Sequence, residues 1–204
     1  MMRPFSRSTF VGSCIVACLL LTLASSAQGQ VLAQSGDIAG YVGYGDGNYS
    51  TSGVGATNNH IEYGGSGGYN VTPNVTVLGE YSLMPMGTYS GVTFKTQLYG
   101  GGARFNFSAS GRAVPYVAVA VGGNRFTGAE SGVSVSANGY YVGFGAGASI
   151  YLGRHWGVRP EFRYERQSIS FGGITAGTNV ILGSGSLFFQ FGGQGTKKTK
   201  SSQQ

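Results

Sequence analysis

The sequence has few charged residues and few side chains that could perform chemistry. Asp, Glu, Lys and Arg make up 10% of the 204 residues, whereas soluble domains contain about 25%. The two cysteines, Cys14 and Cys18, lie near the N-terminus, and there are two histidines, His60 and His155. Metal sites need clustered ligands, and nucleophilic catalysis needs a nucleophile beside an oriented base. Neither pattern is present, so we predict no cofactor, no metal site and no enzymatic activity.

Most of the net positive charge comes from the two ends of the chain. The formal net charge is +6. Arg3 and Arg7 precede the domain, and three lysines lie in the last eight residues. Between residues 28 and 193 there are eight Lys or Arg against seven Asp or Glu, which leaves +1. Nucleic-acid binding needs basic residues clustered on the folded domain, so no nucleic-acid partner is expected.

Long apolar runs are also missing, apart from one at the N-terminus. Residues 9–23 form an apolar run that is too short for a spanning helix, which needs about 20 residues. With the preceding arginines and the small residues Ser25, Ser26 and Ala27, it predicts a secretory signal peptide at residues 1–27. A lipoprotein signal ending at Cys18 is the alternative. We predict a folded domain at residues 28–193 and a basic, disordered tail at residues 194–204.

Residues 153–167 show the pattern that organises the rest of the chain. Read with a period of two, one face carries Trp156, Val158, Pro160, Phe162 and Tyr164, and the other carries Arg159, Glu161, Arg163 and Glu165. Successive side chains of a strand point to opposite sides. The pattern therefore predicts a strand between an apolar and a charged environment.

The same alternation recurs along the chain and predicts eight strands. Short turns are expected at residues 72–74, 108–112 and 153–155, and longer loops at residues 46–58, 84–91, 127–137 and 170–178. An even number of antiparallel strands, with short turns at one end and long loops at the other, is typical of an outer-membrane barrel. A soluble eight-stranded barrel of the lipocalin type is the alternative, but its outer face should carry many charges. We therefore predict an all-β protein, an eight-stranded antiparallel up-and-down transmembrane barrel.

The two faces of these strands predict two sets of residues. The apolar face gives a lipid-facing set: Val119, Phe144, Val158, Phe162, Tyr164, Leu187, Phe189 and Phe191. The opposite face gives a charged network in the lumen: Glu80, Arg104, Arg159, Glu161, Arg163 and Glu165. Within this set we expect Arg163 and Glu161 to form a charged network with Arg104 and Glu80. The interior of an eight-stranded barrel is only wide enough for side chains, so alternating Gly143, Gly145 and Gly147 are expected to relieve crowding.

The segments DIAGYVGYG, YGGGARFNF, VPYVAVAVGG, YYVGFGAGASIYL and WGVRPEFRYE, in this order over residues 37–191, resemble the outer-membrane β-barrel family. This is the group around the membrane domain of outer-membrane protein A and the opacity and porin-like proteins. The resemblance implies a barrel with both termini in the periplasm. It also implies that the last strand, ending at Phe191, is recognised by the barrel-insertion machinery, although here a tail follows.

Together these features predict a protein of the bacterial outer membrane, exported through the inner membrane, with a structural or surface-interaction role. The expected partners are outer-membrane lipid and lipopolysaccharide, the insertion machinery and an unidentified extracellular partner. Residues 47–57, 128–136 and 172–177 should face the outside, and the short turns and the lysine tail should face the periplasm. A small porin-like channel is the alternative function, and a soluble secreted barrel that binds an apolar ligand is a third.

Overall fold

The computed structural model describes residues 30–51, 54–89, 91–130, 133–171 and 174–193, and its eight antiparallel strands close into a barrel. In chain order they are β1 (Ser35–Thr51), β2 (Val54–Thr72), β3 (Val75–Tyr89), β4 (Val92–Asn106), β5 (Ala113–Glu130), β6 (Val133–Tyr151), β7 (Trp156–Phe171) and β8 (Ile174–Gly192). Each strand pairs with its neighbours in sequence, and β1 pairs with β8. The predicted barrel architecture is confirmed. In this part of the chain, no helix is long and apolar enough to cross a membrane.

The prediction of long loops is wrong, because paired strands run through those segments. β1 stays in register with β2 as far as the pair Thr51 and Val54, and β5 stays in register with β6 as far as Glu130 and Val133. Only residues 52–53, 90–91, 131–132 and 172–173 lie between the strands here. Backbone groups pair whatever side chains they carry, so polar, glycine-rich segments continue a ladder that is already in register.

The two ends of the barrel therefore differ in their connections. We call the end with the four two-residue connections the hairpin end. The other, the short-turn end, carries residues 73–74, 107–112 and 152–155, together with the start of β1 and the end of β8. The predicted signal peptide, residues 1–27, and the predicted tail, residues 194–204, lie outside the described residues, so those two predictions stay as they are.

Large apolar side chains cover the outside of the barrel. One row, the tyrosine belt, runs round six strands toward the hairpin end and consists of Tyr44, Tyr63, Tyr81, Tyr99, Tyr140 and Tyr164, all exposed. A second row lies toward the short-turn end and consists of Tyr69, Phe105, Phe107, Trp156, Phe189 and Phe191. Two aromatic girdles on either side of an apolar band are the surface that transmembrane barrels present to the two membrane interfaces.

Pro160 interrupts one ladder without shifting its register. β6 and β7 pair at Gly147 with Glu161 and again at Ile150 with Val158, but no pairs join them in between. Proline has no backbone N–H to donate. The unchanged register shows that Pro160 is accommodated without a bulge.

Candidate functional site in the barrel interior

The inner face of the barrel brings polar and charged side chains from different strands into one narrow space. Where bulky inward side chains meet, the opposing strand carries glycine. A Cβ added at Gly147 would lie 2.7 Å from the Tyr116 hydroxyl, and one added at Gly145 would lie 3.2 Å from a Glu161 carboxylate oxygen. These glycines leave the space that the polar network occupies, as the alternation on β6 predicted.

The first group of charges is the Asp37 cluster, formed by Asp37, Arg104 and Arg159 from β1, β4 and β7. Asp37 Oδ2 accepts from Arg104 Nη1 at 3.1 Å and from Arg159 Nη2 at 3.0 Å. All three side chains are buried. The Arg159 guanidinium also donates from Nε to Ser149 Oγ at 3.0 Å. One carboxylate therefore holds two guanidinium groups, so the cluster carries an excess of one positive charge.

Two aromatic rings stabilise part of this excess positive charge. The Arg159 guanidinium carbon lies 4.2 Å from the centroid of the Phe188 ring, and the Arg104 guanidinium carbon lies 5.2 Å from the centroid of the Tyr116 ring. The face of an aromatic ring carries partial negative charge and attracts cations at this range. Phe188 is buried on the inner face of β8, and its contact with Arg159 explains why an aromatic side chain lies among polar ones.

The second group is the Arg163 cluster, formed by Arg163, Glu80, Glu161 and Glu165. Arg163 Nη1 lies 3.0 Å from both Glu80 oxygens, although β7 and β3 are on opposite sides of the barrel. Arg163 Nη2 lies 2.7 Å from Glu161 Oε1, and Nη1 lies 3.5 Å from Glu165 Oε1. One guanidinium holds three carboxylates, so this cluster has two negative charges in excess.

Neutral donors complete the bonding of these carboxylates. Tyr116 Oη donates to Glu161 Oε2 at 2.7 Å, and Tyr141 Oη donates to Glu80 Oε1 at 2.8 Å. Gln167 Nε2 donates to Glu165 Oε2 at 3.0 Å. Tyr116 touches both clusters, because its ring lies beneath Arg104 while its hydroxyl reaches Glu161. The two clusters therefore form one connected network across the lumen.

Little free space remains between the clusters. A cavity of about 40 Å³ lies among their side chains and is lined by Glu80, Arg104, Arg159, Glu161 and Arg163. A water molecule needs at least about 10–15 Å³ of such volume, so the cavity holds only a few waters.

All six residues of the predicted lumenal set lie on the inner face, but one predicted pairing is wrong. Arg104 pairs with Asp37 and Glu80 pairs with Arg163, whereas we had expected Arg104 to join Glu80. Parity places both residues inside the barrel but does not give their positions around the lumen. Sequence reasoning also missed Asp37, the centre of the first cluster, although it shares the parity of Tyr41 on the same strand, which lines the interior cavity.

Glu62 is a further inward carboxylate that the sequence did not single out. It lies on β2 and is 1% exposed. Its Oε1 accepts from Tyr41 Oη at 2.9 Å, while its Oε2 is buried and makes no hydrogen bond. The sequence signal was its shared face with His60, which is also buried. In the described part of the chain, no group of His, Cys, Asp or Glu side chains could hold a metal ion.

The residues predicted to face lipid all point to the outside of the barrel. Phe144, Phe162 and Leu187 are 58%, 59% and 60% exposed. Val119, Tyr164, Phe189 and Phe191 are also exposed, and Val158 is partly exposed. His155 is exposed in the turn before β7, with its ring 6.4 Å from that of Phe189.

Comparison with known proteins agrees with this architecture. The family model described as "Outer membrane protein beta-barrel domain" matches residues 15–188. Among solved structures, the Neisserial surface protein A is similar with a TM-score of 0.65 and 15% identity, covering 76% of this chain and 97% of that one. The N-terminal β-barrel domain of Pseudomonas aeruginosa OprF is similar with a TM-score of 0.50 and 17% identity, covering 78% and 99%. These identities show the fold alone. No curated protein matches the sequence.

Proposed function

We propose that this chain is a plugged barrel that does not conduct ions. The chain belongs to the outer membrane protein β-barrel domain family and is thus a protein of the bacterial outer membrane. Its lumen supports the fold, and its hairpin end presents an interaction surface outside the cell. The observation that carries this proposal is the network of ion pairs across the lumen. Arg163 and Glu80 come from opposite walls and meet at 3.0 Å, so their side chains lie across the path that an ion would take.

Planar-bilayer recordings of the purified, refolded protein test the plugged lumen. We expect no conductance above the lipid background for the wild type. A variant with both Glu80→Ala and Arg163→Ala loses the side chains that cross the lumen, and it should conduct if it still folds. Stable channels in the wild type, at the same frequency as in that variant, would contradict the plugged barrel and favour a small porin-like channel.

The outward apolar residues support the proposal that the band between the two aromatic rows contacts lipid. A charge on the lipid face near the middle of the bilayer costs about 2–4 kcal/mol, falling toward about 0–1 kcal/mol near the interfaces. Phe162→Arg should therefore reduce insertion clearly more than Asn138→Arg, an exposed outward position beyond the tyrosine belt. The folded fraction on an unboiled gel measures both. Equal insertion of the two variants would mean that Phe162 lies outside the lipid band.

Exposed cations at the hairpin end support the proposal that this end forms an extracellular surface in contact with lipopolysaccharide. Lys95, Arg125 and Arg166 are exposed on the outward face of β4, β5 and β7 beyond the tyrosine belt, where anionic lipid headgroups would be. In the proposed orientation the short turns lie in the periplasm. Protease added to intact cells should then cut at the connections of the hairpin end, residues 52–53, 131–132 or 172–173, and spare the C-terminal lysines. Cleavage of the lysine tail in intact cells would show that the barrel has the opposite orientation.

Contact with the insertion machinery is proposed through β8. Its outward Phe189 and Phe191 end the barrel beside the start of β1, where Phe189 pairs with Ile38. Removing both rings, as Phe189→Ala with Phe191→Ala, should lower assembly in cells more than it lowers refolding into lipid vesicles. Equal losses in the two settings would assign these rings to the stability of the barrel instead.

A further inference from the structure

The inner wall of the barrel at the hairpin end carries many apolar side chains, whereas the lumen below it is polar. The apolar side chains of β4 to β8 that point inward beyond the Arg163 cluster include Phe94, Phe126, Val133, Val135, Ile169 and Ala176. Their inward direction follows from the alternation along each strand. Phe94 shares the parity of buried Leu98, and Val135 shares that of buried Tyr141. We call this set the mouth wall.

Part of the mouth wall is open to solvent although it points into the barrel. Val133 is 69% exposed and Val135 is 53% exposed. Beside them, the rings of Phe94 and Phe126 stack with their centroids 5.6 Å apart. Gly128 faces the Phe94 ring, and a Cβ there would lie 3.0 Å from it. Burying apolar surface yields about 25 cal/mol per Å², so this wall would bind an apolar group that entered the mouth.

Two acceptor oxygens just below the mouth wall, on Asn124 and Glu62, lack a hydrogen-bond donor. Asn124, next inward from Phe126 on β5, is fully buried. Its Nδ2 donates to the Tyr140 carbonyl at 3.5 Å, and its Oδ1 accepts no hydrogen bond. Glu62 Oε2 is buried and lacks a donor as well. An acceptor that is buried without a donor costs about 1–3 kcal/mol.

The charge around these acceptors is negative. Glu62 and the three carboxylates of the Arg163 cluster face one guanidinium, which gives a formal excess of three negative charges. Glu130 adds another carboxylate on an inward position at the rim of the mouth, where it is exposed. The described cations of this end that are not in the Arg163 cluster, Lys95, Arg125 and Arg166, point outward. A ligand head that brings donors and positive charge would satisfy both deficits.

We propose that the mouth of the barrel binds an amphiphile with an apolar tail and an ammonium head. The tail lies against the mouth wall, between the Phe94 and Phe126 rings and the two exposed valines. The head points inward, toward Asn124 Oδ1 and the carboxylates around Glu62. An ammonium group supplies three donors and one positive charge. A carboxylate head of the same length would meet acceptors and negative charge, and a hydroxyl head would leave the charge excess unchanged.

The test uses the full-length protein in nanodiscs of zwitterionic phosphatidylcholine, with n-octylammonium, octanoate and octanol as probes. The methyl NMR signals of Val133 and Val135 report the mouth wall directly. We expect octylammonium to shift them saturably, with an affinity at least tenfold higher than that of octanoate and severalfold higher than that of octanol. Shifts that do not saturate, or that are equal for the three heads, would overturn the proposal.

Variants separate the wall from the head site. Val133→Ser with Val135→Ser changes only exposed side chains, so the barrel should fold, and binding of octylammonium should weaken at least fivefold. This is followed through the methyl signal of Ala137, which lies next inward on β6. Ala129→Ser is the matched control, because Ala129 is exposed on the outward face of the same hairpin; it should bind as the wild type does. Wild-type binding in both variants would show that the lipid disc, and not the mouth, takes up the probe, and equal loss in both would show that the mouth wall has no specific role; either result overturns the proposal.

Glu62→Gln tests the head site in protein that migrates as the folded species before boiling. It should reduce the ratio of the affinity for octylammonium to the affinity for octanoate, and it should leave the affinity for octanol unchanged. An unchanged preference would exclude Glu62 as part of the head site. The wild-type comparison of the three probes needs no variant at Glu62, so it decides the ligand class even if Glu62→Gln does not fold. None of these readouts depends on whether the lumen conducts.

Discussion

The Asp37 cluster and the Arg163 cluster lie in the same lumen but have opposite imbalances of charge. Asp37 accepts from two arginines, whereas Arg163 serves three carboxylates. The positive excess of the first is met by the faces of Phe188 and Tyr116. The negative excess of the second is met by tyrosine hydroxyls and a glutamine amide. Each imbalance is therefore relieved by neutral groups of the matching polarity.

The difference matters because the two excess charges can respond differently to a lost partner. A carboxylate can take up a proton when its counter-ion is removed. An arginine side chain cannot lose its proton in a protein. The Asp37 cluster should consequently be the more sensitive of the two, and the Arg163 cluster should be the one that depends on pH.

Asp37→Asn should have the largest effect. It leaves Arg104 and Arg159 buried without a counter-ion, and breaking a buried pair in this way costs about 3–5 kcal/mol. The measurement is urea-induced unfolding in lipid vesicles, followed by the loss of the folded gel species. Asp46→Asn, at an exposed position of the same strand, is the control and should change the free energy of unfolding by less than about 0.5 kcal/mol. Similar losses in the two variants would remove the special position of Asp37.

Arg163→Gln should come second, with a loss of about 3 kcal/mol at pH 7. It leaves three carboxylates close together, and their repulsion falls as they take up protons. The deficit relative to the wild type should therefore be smaller at pH 5 than at pH 8. Arg166→Gln, exposed on the same strand, should show no such trend. A deficit that is constant between pH 5 and 8 would contradict the view that unpaired carboxylates cause it.

Double-mutant cycles should separate the two clusters. Asp37→Ala and Arg104→Ala remove partners of one ion pair, so their coupling should be about 2 kcal/mol, within the range for residues in one network. Glu80 and Arg104 share no ion pair and are linked only through Tyr116, Glu161 and Arg163, so the coupling of Glu80→Ala with Arg104→Ala should be clearly smaller, about 0.5 kcal/mol. Stronger coupling of Glu80 than of Asp37 to Arg104 would restore the pairing that the sequence alone suggested.

The neutral donors should give the smallest effects. Tyr141→Phe removes the hydroxyl that bonds to Glu80, and hydrogen bonds to charged groups contribute about 1.5–3 kcal/mol. Tyr151→Phe is the matched control, since its hydroxyl donates to the uncharged Gln190 at 3.1 Å and should contribute about 1 kcal/mol. Thermal loss of the folded gel species ranks the two. If Tyr151→Phe costs as much as Tyr141→Phe, the excess negative charge does not strengthen the bond to Glu80.

Much of the fold could be predicted from the sequence because a strand's two faces follow from a period of two. That period placed Phe162 outside and Arg163 inside, and it gave the number of strands. It could not predict that the polar segments near residues 46–58 continue as strands, since their backbone pairing leaves no trace in hydrophobicity. Nor could it place side chains around the lumen, because the ion pairs of Asp37 depend on how β1, β4 and β7 are staggered around the barrel.

Trp156 has a practical consequence for following how this barrel enters a membrane. It is the one tryptophan of the sequence, and it is exposed on the outer face at the first residue of β7, where it pairs with Phe189 at the short-turn end. Tryptophan emission, excited at a wavelength at which the tyrosines do not absorb, therefore reports the surroundings of a single interface. Brominated lipids would quench this emission when the short-turn rim contacts the bilayer. Iodide added on one side of the membrane would quench it when the rim lies on that side. One native fluorophore can thus time the arrival of the short-turn rim and reveal its sidedness without any added label.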